Sequence, residues 1–168
     1  AFNTFDPNTA AALVTNWLSL KADPNSDRMV LVSVDSGSDL ATVRWDGSTW
    51  TADARWDAGV DTNVQRPADF AWSPYGSTGL LVWGTASGSL SYKNLTAPST
   101  WQAARTFPAS STHNWVQLRR NPRNTSTADD VLILGLYVNS SGSIGAFQWN
   151  GNLTLSTLGD NAVTQLMG

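Results

Sequence analysis

Trp45-Asp46-Gly47-Ser48-Thr49-Trp50 is the stretch on which the reading of this chain turns. An alternating run, Leu40 to Trp45, leads into it, and a second run leaves from Trp50. Asp-Gly between two such runs predicts a β-hairpin, because a type I′ turn needs φ > 0 at both central positions. Trp149-Asn150-Gly151 gives the same signal near the other end of the chain.

Working outward from the two hairpins, a longer repetition emerges. Around the first, the pattern predicts strands over 17–20, Met29 to Asp35, Leu40 to Trp45 and Thr49 to Arg55. Around the second it predicts strands over 115–118, Val131 to Val138, Ile144 to Trp149 and Leu153 to Leu158. Asn16-Trp17-Leu18-Ser19-Leu20 has a near copy in Asn114-Trp115-Val116-Gln117-Leu118, and a Pro follows each Trp at the same distance, Pro24 and Pro122. Between them lies a diverged relative: Phe70-Ala71-Trp72, the run Gly79 to Gly84, a turn at Gly88, Leu90-Ser91-Tyr92 and Trp101. Its Trp-Asp-Gly turn is replaced by the longer Asn94 to Thr100. Repeats of this length with four short strands each are the signature of β-propeller blades. The expected architecture is therefore all-β, a single domain of three four-stranded antiparallel units, 16–62, 63–114 and 115–158, with terminal segments 1–15 and 159–168. Asp6-Pro7 followed by Ala10, Ala11, Leu13 and Val14 predicts one short N-terminal helix over 7–14.

Composition agrees with strands and turns. All thirteen acidic residues are Asp, only two of the ten basic residues are Lys, and there are thirteen Gly. The Glu and Lys that normally fill helix surfaces are nearly absent. A net charge of −3 offers no basic face for nucleic acid. The lack of Cys removes disulfides and thiolate metal sites. No apolar run approaches the roughly 18 residues of a membrane-spanning helix. A chain rich in Ser, Thr, Asn, Gly and Trp fits a secreted or cell-surface protein, and a start at Ala1 fits a processed one.

The alternation of a Trp-x-x-Leu…Pro…Asp…Trp-Asp-Gly unit with a Phe-x-Trp…Trp-Gly unit resembles Trp-rich tandem repeats of secreted and surface proteins in bacteria and archaea. That resemblance implies propeller-like blades and no particular chemistry. Three blades are too few for the closed rings of four to eight that are usual. A longer parent of which these residues are part, closure of a six-bladed ring by a second copy, or an open filamentous stack are the expectations, with unpaired sheet edges as the means of association.

Candidate functional residues are few. Trp faces suit sugar rings as well as interfaces, and Trp56 and Trp101, the least clearly matched by the repeats, are the better binding candidates among the nine. Arg119-Arg120-x-x-Arg123 is the one basic cluster and suits a phosphate or an anionic sugar. Asp23-Pro24-Asn25-Ser26-Asp27 spaces Asp23, Asn25 and Asp27 as oxygen ligands for calcium, although Arg28 stands where such loops need Gly and no Glu closes the loop. No other cofactor is implied. His113, the sole His, lacks a nucleophile elbow anywhere in the chain and is expected in an exposed loop. Trp45-Asp46-Gly47-x-x-Trp50 resembles the Asp-box turn of sialidase and lectin propellers, one residue short. A sialidase would need a Glu-activated Tyr, and there is no Glu. These features predict a non-enzymatic assembly or adhesion module that self-associates. The alternative is a carbohydrate-binding lectin closed by oligomerisation.

Overall fold

The computed structural model describes residues 14–60, 66–96, 99–108, 112–122, 131–151 and 156–160. Among them there is no helix; they form thirteen strands in three antiparallel sheets. The first sheet runs in chain order: β1 (Thr15–Ala22), β2 (Met29–Asp35), β3 (Leu40–Trp45) and β4 (Trp50–Ala52). The second is β5 (Ala68–Trp72), β6 (Gly79–Gly84), β7 (Ser89–Thr96) and β8 (Thr100–Trp101), with β9 (Arg105–Pro108) also paired to β7. The third is β10 (His113–Arg120), β11 (Ile133–Asn139), β12 (Ile144–Trp149) and β13 (Ser156–Asp160). The predicted second and third strands around each hairpin agree with β2, β3, β11 and β12 to within two residues. Apart from Val14, which is not helical, the helix expected over 7–14 lies outside the described residues.

The turn between the second and third strands is built alike in all three sheets. Its first residue is Asp35, Thr85 or Asn139, whose backbone N–H donates to the carbonyl of Asp39, Ser89 or Ser143 at 3.2, 3.1 and 3.0 Å. Three residues on, the chain needs a left-handed conformation, at Ser38 (φ 70°), Gly88 (φ 87°) and Gly142 (φ 79°). In the first and third sheets the side chain finishes the turn. Asp35 Oδ1 accepts from the N–H of Gly37 and Asp39 at 2.8 and 3.0 Å. Asn139 Oδ1 accepts from Ser141 and Ser143 at 3.0 and 2.8 Å. Such side-chain caps are why Asp and Asn favour turns.

The Trp-Asp-Gly hairpin differs from expectation. Its connection is four residues long, and only Gly47 (φ 105°) takes a positive φ, so it is not a type I′ turn. Asp46 is the reason. Its carboxylate accepts from the N–H groups of Ser48 and Thr49 and from both hydroxyls, at 2.8 to 3.0 Å. These bonds, the Thr49 N–H foremost, hold the Asp46 carboxyl well below the usual carboxylate range. Trp45 and Trp50 close the hairpin with ring centroids 5.3 Å apart.

The fourth strand is interrupted in every sheet. After β4 the chain stays on β3 through Asp53 N–H to Thr42 O at 2.9 Å and a bridge between Leu40 and Asp57. In the second sheet the interruption separates β8 from β9, and in the third the β12–β13 register shifts between Ala146 and Phe147.

The sheets are layered face to face. Val30, Val32, Val34 and Leu40 of the first sheet pack with Ala68, Phe70, Trp72, Leu81, Trp83 and Leu95 of the second. The other face of the second sheet, Ala71, Leu80, Val82, Leu90, Tyr92 and Phe107, packs with Val116, Leu118, Ile133, Tyr137, Phe147 and Trp149 of the third. The middle sheet is thus covered on both sides. This explains why β6 reads as the unbroken apolar run Leu80-Leu81-Val82-Trp83 rather than as an alternation. Two glycines of β11 and β12 exist for this packing. A Cβ on Gly135 would enter the ring of Phe147, and one on Gly145 the ring of Tyr137, their cross-strand partners.

The innermost strands draw the sheets together. β5 packs on β1 and β2, and β10 packs on β5 and β6. Val116 N–H donates to Arg66 O at 2.9 Å, in a parallel bridge between Arg66 and Trp115. Asp69 sits at this junction with a fully buried carboxylate. It takes Arg66 at 2.7 Å, Lys21 of β1 at 3.4 Å and the N–H of Leu118 in β10 at 2.8 Å. One side chain therefore ties three sheets, as a buried charge must be paired to be tolerated.

Candidate functional site

The site residues expected from sequence fall in two places. Trp56 and Trp101 meet edge to face, with centroids 5.9 Å apart, in the seam between the first and second sheets. Trp101 also lies against Phe70, at 5.9 Å. Their polar ends are engaged: the indole N–H of Trp56 donates to Thr42 Oγ1 and that of Trp101 to Asp53 Oδ2, each at 2.8 Å. Asp53 further accepts from the Thr42 hydroxyl at 2.8 Å and from Arg44, whose guanidinium approaches to 2.6 Å. Lys93 lies over the Trp56 ring at 4.2 Å. Burial pushes the Lys93 ammonium below its ordinary value, and the Asp53 carboxylate opposes that shift. The segment that leaves β4 thus supplies anions that receive indoles from the next sheet. Asp57 does the same, taking Trp83 Nε1 at 2.6 Å.

Asp23, Arg119 and Arg120 come together elsewhere. They line a cleft of about 450 Å³ where β1, β5 and β10 converge, with Leu20, Lys21 and Trp72. Arg119 and Arg120 are exposed, and Trp72 is fixed by its N–H to Lys21 O at 2.9 Å. Lys21 is already paired with the buried Asp69, and the two arginines outnumber Asp23, the one carboxylate in the lining, so the field of the cleft favours an anion. Arg123 lies outside the described residues.

Asp23 is committed to its own turn. Its carboxylate accepts from Asn25 N–H at 3.0 Å and from Ser26 Oγ at 2.7 Å. Asn25 spends its amide on Pro74 O of the second sheet, at 3.2 Å. Asp27 is exposed, beside Gly47. Among the described residues, no three His or carboxylate side chains gather as a metal site would require. A second cleft, about 340 Å³, is lined by Arg28, Arg44, Trp45, Asp46 and Trp72 among others.

His113 corrects an expectation. It is not an exposed loop residue but opens β10, fully buried, with its ring 4.8 Å from that of Tyr137. Sequence reasoning also passed over Asp53 and Asp69, because each takes a partner from another sheet, Trp101 for Asp53 and Lys21 and Leu118 for Asp69. The one available signal was that each stands among apolar neighbours, Ala52 and Ala54 or Ala68 and Phe70, in a chain with few charges.

No family model and no curated protein matches this chain.

Proposed function

We propose that this chain is a non-enzymatic assembly or adhesion module, extracellular or on a cell surface, whose three sheets are propeller-type repeat blades and which completes itself by association. The observation that carries the reading is at the two ends of the layered sheets. Leu18 and Leu20 of β1 are 62% and 51% exposed, and Leu134 and Leu136 of β11 are each 46% exposed, whereas every described residue of β5 and β6 in the middle sheet is buried. Apolar surface left open on a sheet face is a site of association. The resemblance to Trp-rich repeats of surface proteins and the composition support the location. Asp53, Asp57 and Asp69 are spent on joining sheets, and Asp23, Asp35 and Asp46 on their own turns, which supports a scaffold rather than a catalyst. The test is light scattering behind a sizing column, with negative-stain imaging of the largest species. A discrete oligomer or a polymer supports the reading; a chain that stays single at every concentration overturns it.

A second reading is favoured by the cleft lined by Lys21, Arg119 and Arg120: a lectin for anionic sugars, with Trp72 as the apolar wall. Binding to an acidic glycan array that is lost in Arg119→Ala/Arg120→Ala would support it. Loss in Trp56→Ala or Trp101→Ala alone would instead place a sugar in the seam.

A further inference from the structure

We infer that the open face of the third sheet receives the open face of the first sheet of a second copy, head to tail, in the geometry already used twice inside the chain. The inference rests on the self-association reading and adds to it which surfaces meet.

The argument is positional. Counting back from the shared turn at Asp35, Thr85 and Asn139, one face of the second strand presents Val30 and Val32, then Leu80 and Val82, then Leu134 and Leu136. The first two pairs are fully buried against the following sheet; the third pair is the one left exposed. Ile144 and Ala146 of β12, which pair with Val138 and Leu136, extend the third pair as Leu90 and Tyr92 extend the second. The opposite face shows the reverse. The first strand presents Leu18 and Leu20, Ala68 and Phe70, Val116 and Leu118, each paired across to the same two positions of its second strand. Here the last two pairs are buried against the preceding sheet and the first is exposed. The face that lacks a following sheet and the face that lacks a preceding one are therefore the two halves of an interface that the chain forms internally twice.

That complementarity selects the occupant. A second copy offers the matching half at each end, and the contact is heterologous, so it closes when the rotation per sheet permits and otherwise propagates. Two copies would supply six sheets, within the range of closed propellers. On the first sheet Ser33, Ala41 and Val43 are already buried, so the open part lies along β1. The inner strands are also where both internal interfaces draw closest.

A mixing experiment tests this. Leu134→Asp/Leu136→Asp removes the third-sheet half, and Leu18→Asp/Leu20→Asp removes the first-sheet half. All four positions are exposed, and far-UV circular dichroism matching wild type with a single cooperative unfolding transition confirms that each variant folds. The expected result is that each variant alone has the single-chain mass, at least twofold below wild type, and that an equimolar mixture restores a two-chain species. Only a heterologous interface can be rescued this way. Wild-type mass in either variant alone, or a mixture that stays single-chain, overturns the inference while self-association stands by another surface such as a sheet edge. A wild-type chain that never associates overturns both readings.

Discussion

The middle sheet and the two outer sheets share a strand order and a turn, yet they live in different surroundings. Every described residue of β5 and β6 is buried, whereas β1 and β11 alternate between buried or half-buried and exposed positions. Phe70 and Leu20 show the contrast most directly. Each pairs across to the position four residues before the shared turn, Leu81 and Leu31 respectively, but Phe70 is fully buried and Leu20 is 51% exposed. The lesson is that along the first strand the same position is buried where another sheet packs on it, as at Phe70, and open where none does, as at Leu20.

That contrast can be broken by substitution. The largest effect is expected for Phe70→Ala, which opens a cavity between Trp72 and Trp101. We expect a loss of about 3–5 kcal/mol in denaturant unfolding. The positional twin, Leu20→Ala, is expected to change the stability of the single chain by less than about 0.5 kcal/mol. Comparable losses for the two would show that β1 is covered within the chain.

Next comes the charge that ties the sheets together. Asp69→Ala leaves Arg66 and Lys21 without their anion and the Leu118 N–H without its acceptor. The expected cost is about 3 kcal/mol, toward the low end for a broken buried pair because both cations keep some water. Gln117 of the third sheet holds the equivalent place, across from Leu136 as Asp69 is across from Val82, but faces no further sheet. Gln117→Ala is expected to cost little in a single chain. Thermal unfolding of the two variants side by side gives the ratio.

The smallest effects concern the shared turn. Ser38 holds a left-handed conformation that Gly88 and Gly142 adopt without strain. Ser38→Gly is expected to stabilise by up to about 1 kcal/mol, and Gly142→Ala to destabilise by about 1 kcal/mol. Equal and opposite shifts in the unfolding midpoint would confirm that the turns are interchangeable.

Much of the fold was legible because local chemistry decided it. Alternation in Leu40–Trp45, the turn at Gly88, and the copied Trp17 and Trp115 segments each encode their strands without outside help. The fourth strands were less legible. Their ladder is interrupted beyond Ala52, where Asp53 and Asp57 meet the second sheet, and between Trp101 and Arg105. The type of the Trp-Asp-Gly turn was misjudged because its Asp caps the loop's own amides, a choice that competes with the type I′ geometry. His113 was misplaced because flanking Ser, Thr and Asn suggested a loop, while Tyr137, which buries its ring, lies on another strand. The candidate site was only partly visible. Adjacent Arg119 and Arg120 announced themselves, but Lys21 and Asp23 join them only through the convergence of β1 and β10. Trp56 and Trp101 stood out as the least clearly matched by the repeats, and their roles as hydrogen-bonded wedges depend on Thr42 within the first sheet and on Asp53 across the seam.

The central claim is that the end faces are covered by another copy in solution. Hydroxyl-radical footprinting of the native chain across a concentration series reads that directly, residue by residue. The account predicts that Leu18, Leu20, Leu134 and Leu136 lose reactivity together as concentration rises, while Trp50, 40% exposed beside the Trp-Asp-Gly turn, does not change. Undiminished reactivity of the four leucines at every concentration would contradict it.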